Sequence, residues 1–109
     1  TEEIFLRLAT IYMEQERYED IIALQSQEPE NLLTKWMIAR SYQEIEDLDK
    51  AYELYQELSL DLKDNPEFLE QYTYLLRELG YFEEAKVQAE AYLKLVPDDV
   101  QMQELLETL

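Results

Sequence analysis

The side chains that this sequence offers for chemistry are carboxylates, phenols and guanidinium groups. It has 26 acidic residues, 9 tyrosines and 9 basic residues, but no histidine and no cysteine. Without imidazoles or thiols it lacks the usual base near neutral pH, a thiolate nucleophile and the nitrogen or sulfur ligands of zinc. The residue types therefore argue against an enzyme and against a resident metal or other cofactor.

The acidic residues do not fall into a catalytic or metal-binding pattern either. Adjacent acids such as Asp98 and Asp99 would need a walled cleft and one perturbed carboxyl to work as a glycosidase pair. There is no Asp-x-Asp-x-Asp-Gly loop for calcium. Gly80 is the only glycine, which excludes a glycine-rich phosphate-binding loop. We interpret the acids as helix caps and solvated faces.

The net charge of −17 restricts the partners. Phosphate backbones and anionic membrane surfaces repel such a chain, so we expect neither nucleic acid nor a membrane as a partner. At 47% apolar residues it is too hydrophobic for a disordered acidic tail. No apolar run approaches the ~20 residues that span a bilayer. The absence of cysteine favours a cytoplasmic location.

Apolar residues recur at helical spacing along the chain and predict an all-α protein of seven helices. The three prolines, Pro29, Pro66 and Pro97, fall between pairs of helices, since proline is excluded from helix interiors. Asn31, Asn65 and Asp99 are the predicted caps of the helices that follow them. The second helix of each pair is predicted at Tyr18–Gln27, Leu48–Leu62 and Phe82–Leu95, and a last helix at Val100–Leu109.

Two landmarks recur along the chain with the same pair of spacings, 30 and then 34 residues. On the first helices, Ala9-x-x-Tyr12 aligns with Ala39-x-x-Tyr42 and with Thr73-x-x-Leu76. On the second helices, Tyr18-x-x-Ile21 aligns with Leu48-x-x-Ala51 and with Phe82-x-x-Ala85. Because the two landmarks shift together, the chain contains an internal helical repeat.

The repeat resembles the tetratricopeptide repeat, to which the third unit fits best through Gly80, Phe82, Ala85, Ala89 and Pro97. We identify the chain as a member of that family and as a fragment of a longer, bacterial-type protein. The resemblance implies a right-handed α–α superhelix of three helical hairpins plus a C-terminal capping helix. Residues 1–109 would form a single domain, with repeats at about 2–31, 32–65 and 66–99 and the terminal helix at about 100–109.

Three departures from the family pattern carry structural expectations. The first repeat is four residues short, so its second helix should lose a turn. Glu16 and Glu46 stand where the third repeat has Gly80. Trp36 lies one position after the family's usual tryptophan, which should turn its indole from the buried seam toward the inner face.

The resemblance implies a non-catalytic scaffold or adaptor that binds a peptide or helix in a concave groove formed by the first helices. The family register places three of the four arginines in that groove, where arginine and aromatic side chains are common anchors. Trp36 and Tyr74 would stack on the partner while Arg40 and Arg77 bind its carboxylates. The predicted groove residues are Leu6, Arg7, Met13, Trp36, Met37, Arg40, Tyr74 and Arg77.

Two structural alternatives stand beside this hypothesis. Trp36 fills the interior between the first two repeats, and Arg40 and Arg77 pair only with Glu44 and Glu78. Exposed pairs of that kind contribute ~0–1 kcal/mol.

The chain departs from the relatives that clamp acidic chaperone tails with lysine, asparagine and arginine. Those positions here carry Leu6, Thr10, Met37, Glu67 and Gln71. We therefore expect a protein or peptide partner of basic or mixed charge. The alternative function is a structural or self-association segment of a larger repeat protein, including a homodimer through the terminal helices, where Leu106 and Leu109 are apolar.

Overall fold

The computed structural model describes all residues from Thr1 to Leu109, and its regular structure is entirely helical. The seven predicted helices are confirmed. The chain forms two compact units, Thr1–Leu58 with α1 to α4 and Ser59–Leu109 with α5 to α7. The helices are α1 Glu2–Glu14, α2 Tyr18–Ala23, α3 Leu32–Glu44, α4 Leu48–Leu58, α5 Pro66–Leu79, α6 Phe82–Leu95 and α7 Val100–Thr108, with a 3₁₀ helix at Leu24–Gln27 after α2.

The first helix of each repeat, and α7 as well, begins with the same type of cap. In each case the cap's side-chain oxygen accepts from the backbone N–H three residues later, which satisfies one of the unpaired donors of the first turn. The caps predicted from the sequence are confirmed, and Pro66 occupies the first turn of α5. The cap and donor pairs are Thr1 and Ile4 (3.5 Å), Asn31 and Thr34 (3.2 Å), Asn65 and Phe68 (3.1 Å), and Asp99 and Met102 (3.1 Å).

The turns from first to second helix share one hydrogen bond that closes the end of the first helix. The residue that directly precedes each second helix donates its N–H to the carbonyl of the residue five positions earlier, as in a Schellman motif. The three bonds run from Arg17 to Tyr12 (2.8 Å), from Asp47 to Tyr42 (2.9 Å) and from Tyr81 to Leu76 (2.9 Å). The repeat inferred from sequence spacing is therefore repeated in backbone geometry.

This turn requires a left-handed backbone at one position. Gly80 has a φ of 81°, and Glu16 and Glu46 have φ of 56° and 64° at the corresponding positions. A glycine adopts this conformation freely, whereas a residue with a Cβ is strained there. The glutamates therefore keep the turn of the family without its glycine.

The first unit buries a cluster formed by Ala9, Ile21, Leu24 and Ile38. As predicted, its second helix is short: α2 ends at Ala23 and continues only as the 3₁₀ helix, whereas α6 extends over 14 residues. The prediction that α4 continues to Leu62 is wrong, because the helix ends at Leu58. Leu58 is buried, whereas Leu60 is 76% exposed, so the first apolar residue beyond Leu58 contributes little burial to a further turn.

In the second unit, α5 packs along α6 and α6 packs against α7. Ala85 and Ala89 of α6 are fully buried, and small residues there allow close helix approach. From α7, Met102 and Leu105 are buried. These contacts fix α5 and α7 within the same unit, which positions the site described next.

Candidate functional site

A cleft of about 360 Å³ lies in the second unit between α5 and α7. Two residues of the predicted groove, Tyr74 and Arg77, line its α5 side. The residues that line the α7 side are Gln101, Glu104, Leu105 and Thr108. The cleft therefore combines one aromatic ring, one cation and one anion with neutral hydrogen-bonding groups and a small apolar surface.

Tyr74 and Arg77 are neighbours because they lie three positions apart on α5. The Arg77 guanidinium carbon stands 5.1 Å from the centre of the Tyr74 ring, in cation–π geometry. The opposite side of α5 is buried through Phe68, Leu69 and Leu76, so the helix cannot rotate this pair away. Arg77 is exposed and Tyr74 is half-buried. The pair is thus an accessible feature on a helix whose orientation is set by its buried side.

The sequence predicts α7 only as a capping helix, whereas in the structure it also forms a wall of this cleft. The spacing of the repeat indicates this second wall. Adding the 34-residue offset to four inner-face positions of α5, Glu67, Glu70, Gln71 and Tyr74, gives the four α7 residues that line the cleft. The register therefore continues into α7, which behaves as the first helix of a further repeat.

Tyr92 and Asp99 anchor the start of α7. The Tyr92 hydroxyl donates to a carboxylate oxygen of Asp99 at 2.5 Å, while the other oxygen of Asp99 caps the helix. The hydrogen bond to Asp99, with burial and the nearby negative charge of Glu70, raises the pKa of Tyr92 to about 12. The same hydrogen bond, with backbone donors of α7, lowers the pKa of Asp99. The pair holds the α7 wall in place.

The other predicted groove residues lie in the first unit, on α1 and α3. Leu6, Met13 and Met37 are half-buried, and both methionines pack against the core cluster. Arg7 forms an exposed ion pair with Glu3 at 2.9 Å on its own helix. Such an exposed pair costs little to open, so Arg7 stays accessible.

Arg40 and Trp36 on α3 are less accessible than predicted. Arg40 is half-buried. Burial raises the pKa of the nearby Tyr55 phenol, and the positive charge of Arg40 opposes this rise only in part. Trp36 is only 8% exposed, and it hydrogen-bonds the Tyr55 phenol. Trp36 is therefore a buried side chain that contacts Tyr55 of α4, and not the accessible stacking ring that the sequence predicted.

The fourth arginine, Arg17, lies at the α1–α2 turn, outside the predicted groove. Its guanidinium lies 4.6 Å from the centre of the Tyr12 ring, and its nitrogens donate to Asp20 at 2.7 Å and to Gln15 at 3.2 Å. These contacts join the end of α1 to the start of α2.

No group of three or more acidic residues is arranged to hold a metal ion. None of the helices combines the length and the apolar character needed to cross a bilayer.

Comparisons with known proteins agree with this helical repeat. The family of YpiA-like, C-terminal tetratricopeptide repeats matches residues 33–99. Among solved structures, the first TPR of Spaghetti (RPAP3), bound to the HSP90 peptide SRMEEVD, matches 98% of this chain and 90% of its own at 16% identity and a TM-score of 0.80. At that identity the likeness shows the fold alone, and it confirms the predicted all-α fold. No curated protein sequence matches significantly. Because the family match covers more than half of the residues, the chain belongs to the YpiA-like tetratricopeptide repeat family.

Proposed function

We propose that this chain is a non-catalytic protein-interaction module, and that the α5–α7 cleft binds a short segment of its partner. The observation that carries the proposal is the Tyr74–Arg77 pair, held in cation–π geometry at the mouth of a cleft whose other wall is polar. Aromatic and arginine side chains are frequent anchors of protein interfaces, and a pair already arranged for binding lowers the entropic cost of association. The six other predicted groove residues, which lie in the first unit, stay a prediction.

A peptide segment would find a partner for each of its group types in this cleft. Arg77 presents hydrogen-bond donors for a carboxylate or a main-chain carbonyl. Gln101 both donates and accepts, and the Thr108 hydroxyl, which donates to the Leu105 carbonyl at 2.8 Å, can still accept, which suits an extended main chain. Glu104 on the opposite wall favours a lysine or arginine. These groups support a peptide of mixed or basic charge.

The charge of the chain supports the same ligand class. The solved relative holds the peptide SRMEEVD, which carries more acids than bases. In this chain the positions that resemble a carboxylate clamp hold Leu6, Thr10, Met37, Glu67 and Gln71. Together with a net charge of −17, they favour a basic or mixed-charge partner over such an acidic tail.

The second candidate function is a structural or self-association segment. The observation in its favour is that Leu106 and Leu109 near the end of α7 are only half-buried. Apolar self-association would persist or strengthen as ionic strength rises, whereas charge-assisted peptide binding would weaken. A cytoplasmic location stays a prediction from composition.

The test uses NMR titrations of the full chain with three pools of short synthetic peptides, one rich in lysine, one of mixed charge and one rich in glutamate. We expect the lysine-rich and mixed pools to shift the amides of Tyr74, Gln101 and Glu104, and salt to weaken the effect. Combined Tyr74→Ala and Arg77→Ala substitutions should weaken binding by at least about tenfold. The matched control is Arg17→Ala, an exposed arginine that also stacks on a tyrosine but lies outside the predicted groove, and it should leave binding unchanged.

Circular dichroism of each variant verifies that helicity is retained. If the peptides shift amides outside the cleft, or if the double variant binds as well as the wild type, the cleft is not the site. Shifts caused only by dilution of the chain itself would favour self-association.

A further inference from the structure

The α5–α7 cleft carries two opposite charges that do not neutralise each other. Arg77 and Glu104 are the charged members of its lining, and both are exposed. Neither belongs to any of the four ion pairs of the chain. A guanidinium and a carboxylate therefore face the same cleft from opposite walls, and each is open to a ligand.

The repeat explains why these two charges stay apart. The short connections at residues 80–81 and 96–99 each reverse the chain, so α5 and α7 run in the same direction, with α6 packed against both. The 34-residue offset places Glu104 level with Glu70 of α5, which lies two helical turns before Arg77. At ~1.5 Å per residue, the two charges are offset by about 10 Å along the helices, which is too far for a direct ion pair.

The stretch between the two charges is lined by an aromatic ring and a small apolar surface. The same offset places Leu105 level with Gln71 and Thr108 level with Tyr74. Leu105 is 8% exposed, and the Tyr74 ring is half-buried. From the starts of the two helices toward their ends, the cleft therefore presents an anion, an apolar and aromatic middle, and a cation.

Local contacts decide which charge a ligand meets at each end of the cleft. At the anionic end, Glu70 stands level with Glu104 and adds a second negative charge. At the other end no acid is paired with Arg77, so its N–H donors can bind a carboxylate. The net charge of −17 acts over longer distances, and salt screens it beyond ~8 Å at physiological ionic strength.

We propose that the ligand of this cleft is an extended peptide segment with a basic and an acidic side chain about 10 Å apart and an apolar residue between them. This assignment rests on the proposed function and narrows it to one order of charges. Three residues of extended chain span about 10 Å, which matches the offset between Glu104 and Arg77. The basic residue binds Glu104 and the acidic residue binds Arg77. The apolar residue contacts Tyr74 and Leu105.

Segments with a single sign of charge fit the cleft less well. A lysine-rich segment brings a cation next to Arg77 and leaves that guanidinium without a carboxylate. A glutamate-rich segment brings an anion next to Glu104, and the net charge of the chain also opposes it. The order of charges along the segment therefore selects the ligand, and its net charge alone does not.

The experiment is a set of double-mutant cycles between the chain and its ligand, with dissociation constants measured by NMR titration. The probe is a synthetic peptide with blocked ends that holds lysine and glutamate three positions apart and a leucine between them. We expect Glu104→Gln to couple with replacement of the peptide lysine by glutamine, by at least about threefold. Arg77→Gln should couple to the same extent with replacement of the peptide glutamate by glutamine. The two crossed combinations should be additive within about twofold.

A control variant and a control peptide separate the charge order from net charge. Glu107→Gln removes the same charge from an exposed position of α7 outside the cleft, and it should change the dissociation constant less than about twofold. A peptide of the same composition with lysine and glutamate adjacent should bind at least about threefold more weakly. The dispersion of the amide spectrum verifies that each variant is folded.

Several results would overturn the proposal. Equal affinities of the two peptides, or crossed combinations that couple as strongly as the matched ones, would remove the charge order and leave the cleft as a peptide site. Undiminished binding after replacement of the peptide glutamate would assign the cleft to basic segments. If neither peptide shifts the amides of the cleft, the proposed function fails, and the charge order fails with it.

Discussion

At the scale of single residues, backbone strain is concentrated in the turns that separate the two helices of a hairpin. Glu16 and Glu46 adopt positive φ at the position where the third repeat has Gly80. Nothing lies within 4 Å of the Cβ that an alanine would add at Gly80, so the backbone angle alone disfavours a side chain there.

We expect Glu46→Gly to raise the free energy of unfolding by about 0.5–1 kcal/mol, because the left-handed angle is then unstrained. Gly80→Ala should lower it by a similar amount. Urea unfolding followed by circular dichroism measures both changes. Glu44→Gly is the control: it lies two residues away, within α3, and should destabilise because glycine weakens a helix. A loss of stability in Glu46→Gly would show that the glutamate side chain supports the turn.

The Tyr92–Asp99 hydrogen bond makes stability depend on pH at both extremes. The lowered pKa of Asp99 stabilises the fold above the ordinary aspartate range, and this contribution is lost as the pH falls through it. The pKa of Tyr92, raised to about 12, stabilises the fold below the ordinary tyrosine value, and this contribution is lost as the pH rises from there toward 12.

Tyr92→Phe should therefore make the free energy of unfolding depend less on pH, both at acidic and at alkaline pH. Urea unfolding across the pH range measures the profile, and some alkaline loss should remain because burial also raises the pKa of Tyr55. In a background with Asp99→Asn, which retains the capping oxygen, adding Tyr92→Phe should have no further effect on the acidic limb. If the free energy of unfolding falls as steeply at acidic pH in Tyr92→Phe as in the wild type, other carboxylates cause that loss of stability.

At the scale of helices, one carboxylate joins the start of α1 to the start of α3. An oxygen of Glu2 accepts from the backbone N–H of Glu30 at 2.9 Å and of Asn31 at 2.8 Å. These donors precede α3, and Asn31 in turn caps that helix. These two hydrogen bonds resemble the local caps but join residues far apart in sequence. They fix the start of α1 against the start of α3.

We expect Glu2→Ala to lower the free energy of unfolding by about 1–2 kcal/mol, because two backbone donors lose a charged acceptor. The neighbouring Glu3→Ala removes only an exposed ion pair with Arg7 and should cost less than about 0.5 kcal/mol. Thermal unfolding of the two variants gives the comparison. Equal losses would mean that helix propensity, and not the link to α3, sets the effect.

At the scale of the whole molecule, the excess of acids is present in both compact units and few bases offset it. The four ion pairs join neighbours on a single helix or turn, at three or four positions of separation. Local pairs of this kind do not relieve the repulsion summed over a net charge of −17. Stability is therefore expected to depend on ionic strength.

We expect the unfolding temperature to rise as NaCl is added from low concentration, because salt screens the repulsion. A chain with three exposed acids neutralised, by Glu57→Gln, Glu90→Gln and Glu107→Gln, should gain up to about 0.5 kcal/mol per charge at low salt and respond less to NaCl. Differential scanning calorimetry of both chains provides the measurement. A wild-type chain that salt destabilises would show that attractive pairs dominate the electrostatics.

The sequence alone determined the helices, their caps, the turns and the family. These features depend on interactions within a few residues, such as Asn65 with the start of α5 or Gly80 with the end of it, and repetition along the chain made them recognisable. Half of the cleft was also predictable, because Tyr74 and Arg77 are three positions apart on one helix. Its other wall follows from the same 34-residue offset when the repeat is continued into α7.

Only the tertiary structure decided which sides are covered. Trp36 is buried and contacts Tyr55 of another helix, α4 ends at Leu58 and not at Leu62, and Ile4 near the start of α1 is exposed whereas Met102 near the start of α7 is buried. Burial depends on neighbours that are distant in sequence, and a pattern of apolar residues shows only that a side of a helix can be buried. What lies against that side is a property of the folded chain.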